Sequence, residues 1–196
     1  MNEQEALAIF REAGAYLDGH FLLTSGRHSN AYVEKFQVLQ HPRHCAALCA
    51  AIAVDFADLK PDVVVGPAVG GILLAYETAR ALGVRGIFLE REDGKLALRR
   101  GFEIGPAERV LIVEDVVTTG TSVFEVLDAL KAEKESGRVV GVGFLVDRSS
   151  GKVNFGVRRQ KAQLTLELPT WDAADCPLCR QGVPLTKRGS RKPAGA

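Results

Sequence analysis

The sequence predicts an α/β fold, with a central, mainly parallel sheet covered by helices on both faces. Two observations carry this. After residue 60, apolar runs of strand length alternate with segments of helical period. Those runs are continuous rather than alternating, so each strand must be buried on both faces, as in a parallel sheet. A chain of 196 residues is also long enough to close one such core as a single domain.

The elements follow in chain order. Glu3 to Tyr16 carries Leu7, Phe10 and Ala13 at helical spacing. The stretch "HFLLTSGRHSNAYVEKF" reads as two short strands around Ser25-Gly26-Arg27-His28-Ser29-Asn30. Pro42 suits the first turn of a helix that runs through Leu48, Ile52 and Phe56. Strand and helix then alternate: "DVVVGPAVGG", a helix from about Ile72 to Leu82 stopped by Gly83, "VRGIFLE", "RVLIVED", a helix from Ser122 to about Lys134, and "RVVGVGFLVD". From Pro169 the composition changes, and the chain ends in a basic stretch, "TKRGSRKPAGA", expected to be mobile.

Composition removes several function classes. Twenty-five Lys and Arg stand against 24 Asp and Glu, so no global field favours nucleic acid or an anionic membrane. The acidic start lacks the basic and apolar regions of a secretory signal. The longest apolar run, Ala46 to Val54, is far below the ~18 residues of a membrane span. Four cysteines make no disulfide framework in a chain of this size. A soluble, cytoplasmic protein is expected.

The chemistry concentrates in "RVLIVEDVVTTGTSVFEVL", residues 109 to 127. In a parallel α/β sheet, ligands bind beyond the carboxyl ends of the strands, where helix N-termini point free N–H groups outward. Glu114 and Asp115 fall at such an end, and Thr118, Thr119, Gly120, Thr121 and Ser122 supply hydroxyls and the first amides of a helix, a cradle for a phosphate. Side chains alternate along a strand, so the adjacent carboxylates suit two separate hydroxyls better than one metal. No Gly-Lys-Ser/Thr is present, which excludes the triphosphate P-loop. An Asp followed by a Thr or Ser cap can be purely structural; an acidic pair joined to a full phosphate cradle describes a sugar-phosphate pocket. Pro67 to Gly71 similarly places small residues after a buried strand, where backbone can approach an anion. Arg148, at another strand end, could grip a planar carboxylate through two parallel hydrogen bonds, although an arginine there is more often solvated. Tyr32 could lie against a planar ring, yet an aromatic in a short strand is by default core.

The segment from 109 to 122 resembles the phosphoribosyl pyrophosphate signature of type I phosphoribosyltransferases. Three further stretches narrow the resemblance to the orotate phosphoribosyltransferases: "LLTSGRHSNAYV" is similar to their base-binding segment, "VVVGPAVGGI" to their pyrophosphate loop, and "FLVDRSS" to the strand end whose arginine holds the orotate carboxylate. The resemblance implies the type I phosphoribosyltransferase fold in one domain, residues 1–168, with a small N-terminal hood (about 1–40), a core (about 41–168), and an extension at 169–196. It implies transfer of the 5-phosphoribosyl group to orotate, giving orotidine 5'-monophosphate and pyrophosphate in pyrimidine biosynthesis. The donor would be held by Gly70, Gly71, Arg91, Lys95, Arg99, Glu114, Asp115, Val116, Val117, Thr118, Thr119, Gly120, Thr121 and Ser122, with Lys95, Arg99, Glu114 and Asp115 catalytic. Orotate would meet Thr118, Arg148, Ser25 and Tyr32. Mg²⁺ would arrive on the diphosphate rather than in a protein cage. The alternatives are a phosphoribosyltransferase for another base, purine or uracil, and a non-catalytic ligand-sensing regulator. Nucleic-acid binding by such a regulator would need a basic surface that this chain, outside its end, lacks.

"LEREDGKLALRRGFEI", residues 89 to 104, reads as a tight hairpin turning at Asp93-Gly94, with Leu96 and Leu98 alternating in the returning arm. It is either a solvated hairpin or an arm that brings Arg91, Lys95, Arg99 and Arg100 over a diphosphate and excludes water. In the resembled family that arm reaches into a partner subunit's site, which implies a homodimer. Family lysines are absent at Thr24, near Val69 or Gly70, and at Glu92, which shifts weight onto Lys95, Arg99 and Arg100. Finally, Cys176-Pro-Leu-Cys179 offers two of the four ligands of a zinc site. The other cysteines, Cys45 and Cys49, lie one helical turn apart in an apolar stretch and read as buried thiols, so no zinc site is expected. His41 and His44, beside them, read as capping or surface residues.

Overall fold

A computed structural model describes residues 1–23, 25–132 and 137–187. Its elements are α1 (Glu3–Glu12), β1 (Tyr16–Leu22), β2 (His28–Val33), α2 (Lys35–Leu39), α3 (Pro42–Phe56), β3 (Val63–Pro67), α4 (Gly70–Leu82), β4 (Arg85–Glu92), β5 (Lys95–Leu98), β6 (Arg109–Val117), α5 (Thr121–Ala132), β7 (Arg138–Asp147), β8 (Gln160–Thr165), β9 (Thr170–Trp171), α6 (Pro177–Arg180) and β10 (Thr186–Lys187). Thr24, the expected end of α5 at Lys134, and the basic end from residue 188 lie outside the described residues.

Six strands form the central sheet in the order β5-β4-β3-β6-β7-β8, parallel except for β5. The chain leaves β3 through α4 for β4 on one side, then returns to place β6 on the other. The strand order therefore reverses between β3 and β6, the position where an open α/β sheet presents a crevice for ligands. The two strands pair only as far as Val65 and Ile112, so their last residues diverge around it.

Packing follows strand alternation. Val64, Leu111 and Val113 face Phe10 of α1, Leu48, Ile52 and Phe56 of α3, and Leu74 of α4. Val63, Val65, Val110 and Ile112 face Val123, Val126, Leu127 and Leu130 of α5. The glycines of "VVGVGFLVD" record how tightly α3 sits on β7: a Cβ at Gly141 would come within 2.5 Å of the Phe56 ring, and one at Gly143 within 2.7 Å of Ile52.

Some boundaries differ from the sequence expectation. The first helix stops at Glu12 rather than Tyr16, because Gly14 adopts a φ of +64° and the amides of Gly14 and Ala15 turn back to Arg11 and Phe10 in a Schellman-type stop. Tyr16 instead opens β1. His44 is buried rather than at the surface, while His41 occupies the N-cap of α3 without a side-chain hydrogen bond to the helix. Cys45 and Cys49 are buried thiols as expected.

A second sheet, ordered β10-β1-β2-β9, joins the β1–β2 hairpin to the end of the described chain. β10 runs parallel to β1, and β9 antiparallel to β2. Arg27 fixes this closure by donating to the Thr170 hydroxyl (3.0 Å), the Thr170 carbonyl (2.7 Å) and Asp172 (2.8 Å).

Because the Phe56 ring has no room to retreat, Gly141→Ala should destabilise the protein by about 1–3 kcal/mol through overpacking. Urea unfolding at neutral pH measures this, and an unchanged midpoint would show that α3 can shift away from β7.

Candidate active site

The crevice at the strand reversal is lined from two loops. One follows β3: Pro67, Ala68 and Val69, with a cis peptide between the last two, lead into α4 at Gly70. The other follows β6, where Thr118, Thr119 and Gly120 lead into α5. Between them lies a cavity of about 220 Å³ lined by Lys35, Pro67–Gly70, Glu114, Asp115, Val116, Thr118 and Ser122. A smaller hollow of about 50 Å³ shares Glu114, Val116, Thr118 and Ser122 and adds Val117, Thr119, Gly120, Thr121 and Val123.

Glycine is required here by geometry. A Cβ at Gly70 would fall on Oδ2 of Asp115, and one at Gly66 on the carbonyl of Gly71. Gly71 packs behind the cavity, where its own Cβ would approach Pro67 to 2.8 Å. At Gly120 the backbone turns with φ +76°, and the first bond of α5 runs from the Phe124 amide to the Gly120 carbonyl. The amides ahead of Phe124 are thus free of helical partners, and the residues that carry them line the smaller hollow, an arrangement suited to an anion. The Thr119 and Thr121 hydroxyls share a hydrogen bond of 2.8 Å at its rim.

Both carboxylates of the acidic pair are buried, Glu114 at 6% exposure and Asp115 at 3%. β6 continues through Val117, so the pair sits within the strand rather than at its last residues, and the two side chains leave on opposite faces. Asp115 turns towards α4 and is gripped by Lys35, whose Nζ lies 2.8 Å from Oδ1 and 2.7 Å from Oδ2. Glu114 accepts a hydrogen bond of 2.8 Å from the Asp115 amide. Burial first, and the neighbouring Asp115 charge second, push the Glu114 carboxyl up to about 8.

Lys35 is the functional side chain that the sequence did not reveal. It stands at the start of the five-residue helix α2, 80 positions from Asp115, and no local spacing announces the contact. It supplies a cation inside the cavity, where the sequence had shown family lysines missing.

The other expected residues surround this centre unequally. Arg148 follows β7, half-buried, its amide bonded to the Val117 carbonyl at 2.8 Å. Burial draws its guanidinium below the ordinary value, and the Tyr32 phenol is close enough to oppose that shift. Arg148 and Tyr32 are therefore brought together from strands of different sheets. Asp147 instead caps the following turn, accepting from the Ser149 and Gly151 amides. Ser25 is exposed in the β1–β2 turn, at the far end of β2 from Tyr32, and lines neither cavity.

The β4–β5 hairpin turns at Asp93-Gly94, both with positive φ, as the sequence indicated. Its cations stand outside the cavity, and its three arginines are engaged within the chain. Arg91 pairs with Glu125 of α5, Arg99 with Glu92, and Arg100 with Glu90 through two hydrogen bonds of 2.7 and 2.9 Å. Lys95 is exposed beside the turn.

Against known proteins, a family model described as the phosphoribosyl transferase domain matches residues 36–155. An orotate phosphoribosyltransferase from Pelotomaculum thermopropionicum is 56% identical over 192 residues, spanning 98% of this chain and all of the relative. The chain belongs to the orotate phosphoribosyltransferase family. A second member, from Desulforamulus reducens, is 54% identical over 192 residues and spans 98% of this chain and 99% of its own. Among solved structures, the orotate phosphoribosyltransferase of Aeropyrum pernix superposes with a TM-score of 0.66 at 26% identity, over 82% of this chain and 93% of that one. The Mycobacterium tuberculosis enzyme in complex with inorganic phosphate gives 0.66 at 28%, over 84% and 95%. The type I phosphoribosyltransferase fold expected from the sequence is the fold observed.

The environment of Glu114 has a consequence for stability. In the unfolded chain its carboxyl titrates near 4.5 and in the fold near 8, so between these limits the native state holds a proton that the unfolded state has lost. Stability should fall as pH rises through this window, by up to about 1.4 kcal/mol per unit. Unfolding free energies of wild type and Glu114→Gln, compared from about pH 5 to pH 8, should converge at the acid end and diverge in favour of the glutamine at the alkaline end. Parallel profiles would mean that Glu114 is ionised throughout.

Proposed function

We infer that the chain transfers a 5-phosphoribosyl group from phosphoribosyl pyrophosphate to orotate, yielding orotidine 5'-monophosphate and pyrophosphate. What supports the choice of base is Arg148. It is a half-buried guanidinium beside Tyr32 that forms no ion pair with a carboxylate among the described residues, a setting suited to a planar ligand carboxylate. Full-length similarity to proteins named for this activity agrees with it.

The reaction separates charge: pyrophosphate leaves C1 of the ribose, the ring becomes cation-like, and a nitrogen of orotate attacks it. Residues 118–122 and the free amides of α5 receive the donor's phosphate, and the loop from Pro67 to Gly71 faces its diphosphate. Glu114 and Asp115 orient the ribose hydroxyls from opposite faces of β6. Their setting does not make a metal cage, since Asp115 is tied to Lys35 and Glu114 retains its proton near neutrality. It suits a donor that carries its own Mg²⁺, which neutralises diphosphate charge as part of the substrate. Thr118 and Tyr32 bound the orotate position; Ser25, exposed at the other end of β2, would meet orotate only if the hairpin turn moved.

Lys95, Arg99 and Arg91 belong to the arm. For the two arginines to serve the diphosphate, their present carboxylate partners must be exchanged for substrate oxygens, and in a homodimer that diphosphate lies in the neighbouring subunit. A cytoplasmic location accords with four free thiols.

Offering a panel of bases with the donor tests the reaction itself: product with orotate alone is expected, and turnover of a purine or uracil instead would overturn the reading. Arg148→Ala should raise the KM for orotate about 10- to 100-fold, corresponding to one charge-assisted contact, while the KM for the donor moves little. Equal changes in both would remove Arg148 from the base site. Catalysis across a dimer is tested by mixing two inactive variants, Lys95→Ala/Arg99→Ala and Asp115→Asn. Random exchange gives about half heterodimers, each with one intact site, and so about a quarter of wild-type activity. With exchange verified by native mass spectrometry, no recovery would place the arm over its own subunit's site.

A further inference from the structure

The second sheet encloses a group of side chains that the proposed reaction does not use. His20 of β1, His28 of β2, and Cys176 and Cys179 at the opening of α6 bring one ligand atom each to a common point, all within 4.8 Å of one another. The approach is made from elements 156 residues apart in sequence. Leu22 pairs with His28 across the hairpin, and at the register irregularity just before it, between Asp18 and Phe21, His20 turns its ring to within 2.9 Å of His28. Pro177 opens α6 between the cysteines, and the Cys-x-x-Cys spacing turns both thiols to one side of its first turn.

We propose that these four residues form a structural zinc site that fastens the C-terminal segment to the β1–β2 hairpin. The distances fit. Cys176 Sγ lies 3.4 Å and Cys179 Sγ 3.7 Å from His20 Nε2, and Cys179 Sγ lies 3.3 Å from His28 Nδ1. The edges of a tetrahedron with Zn–N of about 2.0–2.1 Å and Zn–S of about 2.3 Å are roughly 3.3–3.8 Å. The two ring nitrogens, 2.9 Å apart, must open by about 0.4 Å by the same geometry, and the two remaining edges, those from Cys176 Sγ to Cys179 Sγ and to His28 Nδ1, lie within 4.8 Å.

The protonation pattern fits as well. His20 Nδ1 faces the Val183 carbonyl at 2.8 Å, and a carbonyl only accepts, so that nitrogen carries the hydrogen. Nε2 is then a bare lone pair aimed at the centre of the cluster. A backbone carbonyl that orients the far nitrogen is the usual outer partner of a metal-bound histidine. Three of the four residues are buried, with Cys176 at 0% and His20 at 2% exposure, while Cys179 is exposed and leaves a path of entry. None of the thiols is in a disulfide. Loading Zn²⁺ displaces two thiol protons, and the ion's two charges are balanced by two thiolates, so the buried group is neutral overall.

The ligand set, two sulfurs and two imidazole nitrogens, selects zinc over the oxygen-seeking Mg²⁺ of the substrate. The fold also needs a fastening there. β9 and β10 are two residues long each, and residues 170–187 contribute only Cys176 to the buried apolar side chains. A segment with so little core is held by other means, and the hairpin it clasps carries Ser25 and Tyr32.

Protein produced without a histidine tag and purified anaerobically should contain one zinc per chain by elemental analysis. It should lose the zinc to a strong chelator with a marked fall in Tm, and recover both on adding Zn²⁺ alone. Co²⁺ in its place should give the intense visible bands of a tetrahedral ion and thiolate charge transfer in the near ultraviolet. Cys176→Ser/Cys179→Ser should abolish the zinc and the charge-transfer band. If that variant does not fold, His20→Gln, which keeps both thiols and a side chain of similar reach, should still reduce the retained zinc and alter the Co²⁺ bands. The proposal is overturned if reduced wild-type protein holds no zinc and binds none on titration, if the ion persists in the double serine variant, or if anaerobically purified protein carries a Cys176–Cys179 disulfide.

Discussion

Everything at the centre of this molecule depends on keeping two adjacent carboxylates out of water. A buried, unpaired carboxylate is costly enough that the fold must either neutralise it or supply a partner. Here it does both, differently for each residue. Asp115 receives a lysine from a distant helix, and burial pushes the Glu114 carboxyl up, towards its neutral form. Opposite-facing side chains on one strand thus acquire different chemical characters from the same two-residue sequence. The constraint spreads outward: Asp115 occupies the volume that a side chain at residue 70 would need, so α4 must begin with glycine, and the backbone of the loop before it comes close enough to meet a bound anion.

The central sheet was legible because each of its strands is an uninterrupted apolar run and the intervening helices keep their period. Gly83, with φ +72°, ends α4 where the sequence says it should, and Asp93-Gly94 turns the arm as that dipeptide demands. The loop from Thr118 to Ser122 was legible for the same reason: its geometry is local, a run of consecutive residues between β6 and α5 whose spacing does not depend on the rest of the fold. Lys35 was not legible, because its role comes from an 80-residue closure with no sequence period to mark it. The cysteine pair was half legible. Two ligands stood in a familiar spacing, but their partners are histidines in a hairpin at the other end of the chain, and the search for four cysteines led instead to Cys45 and Cys49, which α3 buries in its core. A Cys-x-x-Cys in one terminal segment and two histidines eight residues apart in a predicted hairpin were the signals available.

The second sheet changes how the hood should be understood. It was expected to be an N-terminal feature, but β1 and β2 occupy the middle of a four-stranded sheet whose outer strands come from the C-terminal segment. Two-residue edge strands contribute few ladder bonds, so the register of the hairpin depends on side chains: the Arg27 fork on Thr170 and Asp172, the Ser29 hydroxyl on the Pro169 carbonyl, and the histidine–cysteine cluster. Tyr32 lies on this hairpin and Arg148 on the central sheet. The geometry of the pair is therefore set by how firmly the small sheet is fastened, which links the far end of the chain to the position of Tyr32 beside Arg148.

The arm presents the opposite physical situation. Its arginines are engaged with Glu90, Glu92 and Glu125, yet these pairs are exposed to solvent, where an ion pair is worth about 0–1 kcal/mol. A diphosphate offers more charge, and closure of the arm would remove water from the contact and strengthen it. In the arm's proposed role such weak pairs give way to a diphosphate at little cost, while in its absence the carboxylates keep a hairpin rich in arginine from presenting an unbalanced basic surface. Glu92, where the family resemblance led a cation to be expected, belongs to this arrangement as the resting partner of Arg99. Pairs this weak hold the arm at rest without locking it there.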